Sequence, residues 1–265
     1  MNPLRVVIAG CTGQMGRTLI RLAGSDPAFE VVAAVTVAGD LRLGADAGRV
    51  AGVDPLNVPI TTEIRVPCDG LIEFTSLAGC EAWARWCAAQ NVPLVSGTTG
   101  LREAQRAALR AAAQQIPIVW AANMSIGINL LLDILSGLAG RLDATWDVEI
   151  SEVHHRRKTD APSGTARALL EEICRARGQR PADVAVYGRE GECGPRPTGQ
   201  IGVHALRMGA IVGEHEVHFT SDAESLTLRH RAFSRDTFAA GALRAMRWLQ
   251  GRPPGLYSMR DVLAT

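Results

Sequence analysis

The stretch Val6-Val7-Ile8-Ala9-Gly10-Cys11-Thr12-Gly13-Gln14-Met15-Gly16-Arg17 decides the fold. Residues 4–9 form a short, apolar, β-branched run, the pattern of a strand buried on both faces. The run feeds straight into glycines at 10, 13 and 16, and helical spacing follows over 16–23. Glycines permit a tight turn and let the backbone approach a pyrophosphate. The free N–H groups and positive dipole end of the next helix then suit that anion. A strand-to-helix turn can also need glycine for its shape alone. Here the motif opens an alternating series, follows a strand and starts a helix, which is the context of dinucleotide binding. Gly10, Thr12, Gly13, Gln14, Met15, Gly16 and Arg17 are the residues expected to meet the cofactor.

Further apolar runs at 30–37, 71–74, 92–95 and 116–121 are separated by Ala-rich amphipathic segments at 79–90 and 101–115. Near-continuous apolar strands alternating with helices predict a doubly wound, Rossmann-like parallel sheet in an α/β fold. Past residue 123 the pattern changes. A long apolar helix is expected over 126–141, an alternating strand over 147–155 and a helix over 165–177. Residues 188–200 form a Gly- and Pro-rich loop. Alternating runs near 201–208, 214–220 and 225–231 suggest a mixed or antiparallel sheet. The expected division is a dinucleotide-binding domain (1–123) and a substrate-binding, oligomerising α+β domain (124–234). The helix at 236–249 and the tail to 265 are expected to pack back on the first domain.

The chain has 265 residues, and 28 Lys+Arg balance 27 Asp+Glu to a formal charge of +1. That length suffices to bury a core without staples. Neutrality without a basic stripe excludes nucleic acid as a partner, and no apolar run is long enough to span a bilayer. Six cysteines without a CxxC pair read as reduced thiols, and the start lacks a signal-peptide layout, so a cytoplasmic enzyme is expected.

Ligands of open α/β sheets sit beyond the carboxyl ends of strands. Three loops fall there: Phe74-Thr75-Ser76, Gly97-Thr98-Thr99-Gly100 and Ala121-Ala122-Asn123-Met124-Ser125. Singly, each reads as helix capping; together they suggest a cleft for a nicotinamide. The second strand run ends in Thr36-Val37, where an acid would hold the adenosine ribose; Glu30 stands at the wrong end and Asp40 lies slightly beyond. Without that carboxylate a 2′-phosphate is repelled less, so the reading leans to NADPH or to use of both NADPH and NADH.

The segment Glu152-Val153-His154-His155-Arg156-Arg157-Lys158-Thr159-Asp160-Ala161-Pro162-Ser163-Gly164-Thr165-Ala166 holds two of the six histidines and the only lysine. Ser163-Gly164-Thr165 opens a helix and could cradle a carboxylate. Lys158 could compensate its charge, and a neighbouring histidine could supply a proton. A solvated basic loop beside a capped helix fits the same residues. A metal site does not: adjacent strand residues point to opposite faces, so His154 and His155 would not share an ion. His204, His215, His218 and His230 read as structural or surface histidines.

This segment resembles the signature of the 4-hydroxy-tetrahydrodipicolinate (dihydrodipicolinate) reductase family, Glu-x-His-His-x-x-Lys-x-Asp-Ala-Pro-Ser-Gly-Thr-Ala. The first glycine turn, Gly97–Gly100, Ala121–Asn123, Ile211-Val212-Gly213-Glu214-His215 and residues 255–263 are also similar to family motifs. The resemblance implies reduction of a cyclic dicarboxylate with NADPH or NADH and loss of water, in lysine and diaminopimelate synthesis, by a homotetramer. It implies His154 as proton donor or acceptor, supported by Lys158. His155, Lys158, Gly164, Thr165 and Thr99 would hold the carboxylates. Gly97 and Thr99 would touch the cofactor, with Ala121 and Met124 near the nicotinamide. Two positions depart from the pattern: the family carries Glu-Arg at Thr36-Val37, and commonly Arg at Ser76. A reductase of another small imine or carbonyl, or a non-catalytic nucleotide sensor, fits the same fold.

Overall fold

The computed structural model describes residues 2–264; Met1 and Thr265, the outer limits of the expected domains, lie outside them. In chain order the elements begin β1 (Leu4–Ala9), α1 (Gln14–Ser25), β2 (Phe29–Val35), α2 (Ala47–Ala51) and β3 (Ile60–Thr61). Then come β4 (Gly70–Glu73), α3 (Leu77–Gln90), β5 (Leu94–Ser96), α4 (Glu103–Ala112), β6 (Pro117–Trp120) and α5 (Ile126–Ala139). β7 (Asp147–His154), α6 (Gly164–Arg177), α7 (Pro181–Val184), β8 (Ala185–Val186) and β9 (Ile201–Arg207) follow. The chain continues through β10 (Gly213–Thr220), β11 (Ser225–Ala232), α8 (Asp236–Leu249), β12 (Gly255–Tyr257) and α9 (Met259–Leu263).

Two compact units result. The first runs to Ile126 and resumes at Arg235; the second is Gly127–Ser234. The first boundary thus falls a few residues beyond the expected 123, at the start of α5.

The first unit is built on a seven-stranded sheet in the order β12-β6-β5-β4-β1-β2-β3, with every pair parallel. Side chains of β1 alternate between two separate cores. Val6 and Ile8 join Leu19, Ile20 and Ala23 of α1 and Ala242, Ala245 and Met246 of α8. Val7 and Ala9 join Cys80, Ala84 and Cys87 of α3 and Leu109 and Ala112 of α4. Helices therefore cover both faces, which explains why the strands read as unbroken apolar runs. Gly10 has φ +76°, and a Cβ there would lie 2.5 Å from the Phe74 carbonyl oxygen. A Cβ on Gly16 would strike the Gly10 carbonyl, so the glycine spacing lets α1 pack onto the turn. The edge strands β3 and β12 have two and three residues, too short for a periodic signal.

The second unit carries a five-stranded sheet, β11-β10-β7-β9-β8. β7 pairs antiparallel with β10 and parallel with β9, so the sheet is mixed. Val148 and Ile150 of β7, Val203 of β9 and Val217 and Phe219 of β10 pack on Leu131 and Leu135 of α5 and Leu169 and Ile173 of α6. Residues 188–200, expected to be a Gly- and Pro-rich loop, are tied to β7. Arg189 donates to Glu149 at 2.9 Å, and Arg196 reaches Glu149 at 3.2 Å and the Val148 carbonyl at 2.9 Å. Glu149 also meets His204 Nε2 at 2.6 Å. Burial opposes ionisation of Glu149, yet Arg189, His204 and Arg196 overcome it and bring its pKa to about 2. Among the described residues no helix is long and apolar enough to cross a membrane, and all six cysteines are unpaired.

Candidate active site

In the first unit, the carboxyl ends of β1, β4, β5 and β6 open onto a cleft of about 480 Å³. Gly13, Gln14 and Met15 line it from the glycine turn, and Phe74, Thr75, Gly97, Thr98 and Thr99 line it from two strand-end loops. Ala122, Asn123 and Met124 complete that wall. Gly10, Thr12, Gly16, Arg17, Thr36 and Ala121 do not line this cleft. Gly10 and Gly16 shape the turn, Ala121 is 9% exposed in the core, and Thr12 and Thr36 are joined at 2.9 Å beyond β2. Helix α1 starts on Gly13, which offers no side-chain cap, and its first turn holds no acidic residue. An uncapped helix start facing a glycine turn that a Cβ would fill fits a dinucleotide pyrophosphate. Within the turn, burial pushes the Cys11 thiol up to about 12, so it stays protonated.

Two further lining residues, Arg235 and Phe238, come from the start of α8. They lie more than a hundred residues from the other loops, and nothing local in the sequence marks them. A third omission is Glu73, which is fully buried at the end of β4. Its carboxylate accepts from the Thr75 N–H at 3.0 Å, the Thr75 hydroxyl at 2.6 Å, the Thr98 hydroxyl at 2.7 Å and the Ser96 hydroxyl. Donors from two strand-end loops therefore converge on one carboxylate, which holds those loops in register. The available signal was a charge inside an otherwise apolar strand run.

In the second unit, β7 ends at His154 and α6 begins after Ser163. Between them Glu152, with no exposed surface, is the organising group. Arg207 binds it through two nitrogens at 2.9 Å each, and the Ser163 N–H reaches it at 3.0 Å. His154 donates its Nδ1–H to the same carboxylate at 2.5 Å, which leaves Nε2 for proton exchange. Burial works to raise the Glu152 pKa, but Arg207, His154 and the Ser163 N–H hold it below the usual carboxylate value. His154 is lowered chiefly by burial, with Glu152 acting in the opposite direction.

Lys158 Nζ lies 2.8 Å from Asp160 Oδ1, on the loop that follows His155. Gly164 is the first residue of the fourteen-residue α6, with Thr165 beside it. His155 follows β7 directly, and its Nδ1 is buried with no partner among the described residues. Ser163 is placed differently from the expectation of a substrate ligand. It is 2% exposed, its N–H goes to Glu152, and its hydroxyl caps the Ala166 N–H and meets His215 Nε2, each at 3.2 Å. Its polar groups are therefore committed within the protein. His215, expected to be structural or superficial, is buried and stacks edge-on against His154 with ring centroids 5.2 Å apart. Burial, then the neighbouring His154, lowers its pKa to about 3, so it is neutral beside the His154 ring. Among the described residues, no group of three or more His, Cys, Asp or Glu could hold a metal ion.

Comparison with known proteins gives a consistent result. Residues 4–124 match the family model for the N-terminus of dihydrodipicolinate reductase, and residues 127–263 match that for its C-terminus. The chain is 45% identical over 262 residues to a 4-hydroxy-tetrahydrodipicolinate reductase of Rubrobacter xylanophilus, with 99% of each chain covered. It is 43% identical over 262 residues to one from Anaeromyxobacter dehalogenans, covering 98% of this chain and 97% of that protein. The solved structure of dipicolinate-bound dihydrodipicolinate reductase from Paenisporosarcina sp. TG-14 shares the fold, with a TM-score of 0.77 at 23% identity and 98% of each chain covered.

Proposed function

The chain belongs to the dihydrodipicolinate reductase family, and from that premise we infer that it reduces 4-hydroxy-tetrahydrodipicolinate to tetrahydrodipicolinate with loss of water, oxidising NADPH or NADH. This is a step of lysine and diaminopimelate synthesis. The reading places the reaction in the cytoplasm, which the unpaired cysteines support.

The observation that carries the mechanism is the fixed tautomer of His154. With Nδ1–H directed at buried Glu152, only Nε2 is left to exchange a proton with substrate. A reduced nicotinamide supplies the hydride. Loss of the substrate hydroxyl with a hydrogen from the neighbouring ring carbon, as water, leaves a ring carbon conjugated to the imine, so hydride addition there pushes an electron pair into the conjugated system. Proton transfer from His154 quenches that charge, and the Lys158 ammonium stabilises it while it develops. Neutral His215 adds no competing positive charge, so the His154 proton stays available. The N–H groups of Gly164 and Thr165, at the positive end of α6, take one substrate carboxylate; His155 serves the carboxylates as well. On the cofactor side, Gly97, Thr98, Ala122, Asn123 and Met124 receive the nicotinamide end, and Gly13 to Met15 the pyrophosphate. The sheet face of the second unit that bears Glu149, His204 and Glu216 is our candidate surface for assembly into a homotetramer.

The test is oxidation of NADPH or NADH by purified protein when a coupled synthase generates the hydroxy-tetrahydrodipicolinate in situ. No oxidation above background with either dinucleotide rejects the reading. His154→Ala is expected to lower turnover about 100-fold or more while dinucleotide affinity is kept. Parallel loss of both would remove the role given to His154.

A further inference from the structure

The chain beyond β2 carries no acid at 36 and no base at 37, yet an acid and a base meet a few residues later. Asp40 and Arg42 pair by Arg42 Nε to Oδ1 at 2.8 Å and Arg42 NH2 to Oδ2 at 2.9 Å. The same guanidinium donates through NH1 to the Thr12 carbonyl, inside the glycine turn, at 2.9 Å. Asp40 Oδ1 also accepts the Arg42 backbone N–H at 3.0 Å, and Oδ2 accepts the Thr36 hydroxyl at 3.1 Å. Thr12 donates in turn to Thr36 at 2.9 Å.

Donors and acceptors in this cluster are unequally available. A carboxylate has about four acceptor directions, and all of those on Asp40 are engaged. A ribose diol, which must donate, finds no acceptor there. The Asp40 side chain is 8% exposed, whereas that of Arg42 is 46% exposed. A guanidinium has five N–H groups; three serve Asp40 and Thr12, which leaves one on each terminal nitrogen. The end of β2 therefore offers a braced cation with spare donors. Arg17 adds a second exposed cation on the first turn of α1.

We propose that Arg42, braced by Asp40 and the Thr12 carbonyl, reads the 2′-phosphate of adenosine and makes NADPH the preferred dinucleotide. The proposal rests on the reductase reading and adds to it the residue that sets cofactor choice. A phosphate oxygen is an acceptor only, and two parallel guanidinium N–H groups match it in geometry and charge. Asp40 fixes the rotamer, so little side-chain freedom is lost on binding.

The experiment is equilibrium titration of the whole protein with NADPH, NADH, adenosine 2′,5′-bisphosphate and 5′-ADP, for wild type and Arg42→Gln. Wild type is expected to favour each 2′-phosphorylated ligand over its partner. Arg42→Gln should weaken NADPH and the bisphosphate about 10- to 100-fold, the loss of one charge-assisted contact, and leave NADH within about threefold. Retained NADH affinity also shows that the variant is folded. Asp40→Asn, which loosens the brace, should weaken NADPH by less than Arg42→Gln does. Equal affinity of wild type for NADPH and NADH overturns the proposal and leaves the reductase reading intact. So does an Arg42→Gln variant that loses NADH as much as NADPH. Wild type that binds neither dinucleotide overturns both.

Discussion

Replacing Glu152 by Gln keeps the side-chain volume and removes the charge on which four donors converge. An amide presents one acceptor oxygen, so two of those donors would face its N–H₂ group instead. Breaking a buried ion pair costs roughly 3–5 kcal/mol. The lower figure applies here, because the Arg207 side chain is 21% exposed and keeps its 2.7 Å bond to the Asp160 carbonyl. A loss of about 3 kcal/mol leaves a protein of ordinary stability folded, which urea denaturation followed by circular dichroism would measure. The effect on turnover should be larger. With an amide N–H opposite Nδ1, the neutral ring is driven to the other tautomer and the imidazolium loses its counter-charge. Glu152 acts only through His154, so the fall cannot exceed the whole contribution of acid–base catalysis, about 10²–10⁴-fold. A 100-fold drop in kcat is expected, with KM nearly unchanged. The alkaline limb of the pH profile, where His154 loses the proton it donates, should move to lower pH, because the Glu152 contribution that raises the His154 pKa is gone. A folded Glu152→Gln protein with kcat within threefold of wild type and an unmoved profile would refute the reasoning.

Other outcomes follow from the same structure. Glu73→Gln should cost about 1–2 kcal/mol, since rotatable hydroxyls can re-pair with an amide, whereas Glu73→Leu strands several buried donors and should cost about 3 kcal/mol or more; urea midpoints would separate them, and equal stability would deny Glu73 its role. Glu149→Gln should loosen residues 188–200 from β7, raising tryptic cleavage after Arg189 about tenfold; an unchanged digestion rate contradicts this. His215 has a folded pKa of about 3, below its unfolded value near 6.5, so the unfolded chain takes the proton first. Its stabilising contribution is present above about pH 6.5 and is lost as pH falls toward about 3, with about 2 kcal/mol gone between pH 7 and 5. His215→Leu should flatten that slope in urea titrations at the two pH values.

How far the sequence could be read depended on the range of the interactions involved. Strand β1 was legible because burial on both faces demands a continuous apolar run, and the glycine turn because backbone clearance demands glycine at 10 and 16. The His154–Lys158 segment was legible because its residues are neighbours in the chain. Arg235, His215 and Glu73 were not, for they enter their sites by packing across long separations or as one charge inside an apolar strand. The run at 30–37 overshot: β2 stops at Val35, where Thr36 turns its N–H to the Thr61 carbonyl and its hydroxyl to Asp40. A β-branched pair looks like strand in any composition-based reading, and only the Asp40 turn shows why it leaves the sheet. Ser163 looked like a ligand for the opposite reason, since a hydroxyl at a helix start is equally suited to a guest and to its own cap.

Helix α8 and strand β12 belong to the first unit, although a whole second unit is threaded into the chain before them. During synthesis the apolar side of Val6 and Ile8 waits for Ala242 and Met246, which emerge only after β11 is complete. The inserted unit has all its own helices and strands in hand by then, so the ribosome delivers it ready to fold while one face of the dinucleotide sheet still lacks α8. A nascent chain cut short before residue 236 would expose an oily sheet face to chaperones and proteases, a built-in check that only finished molecules persist.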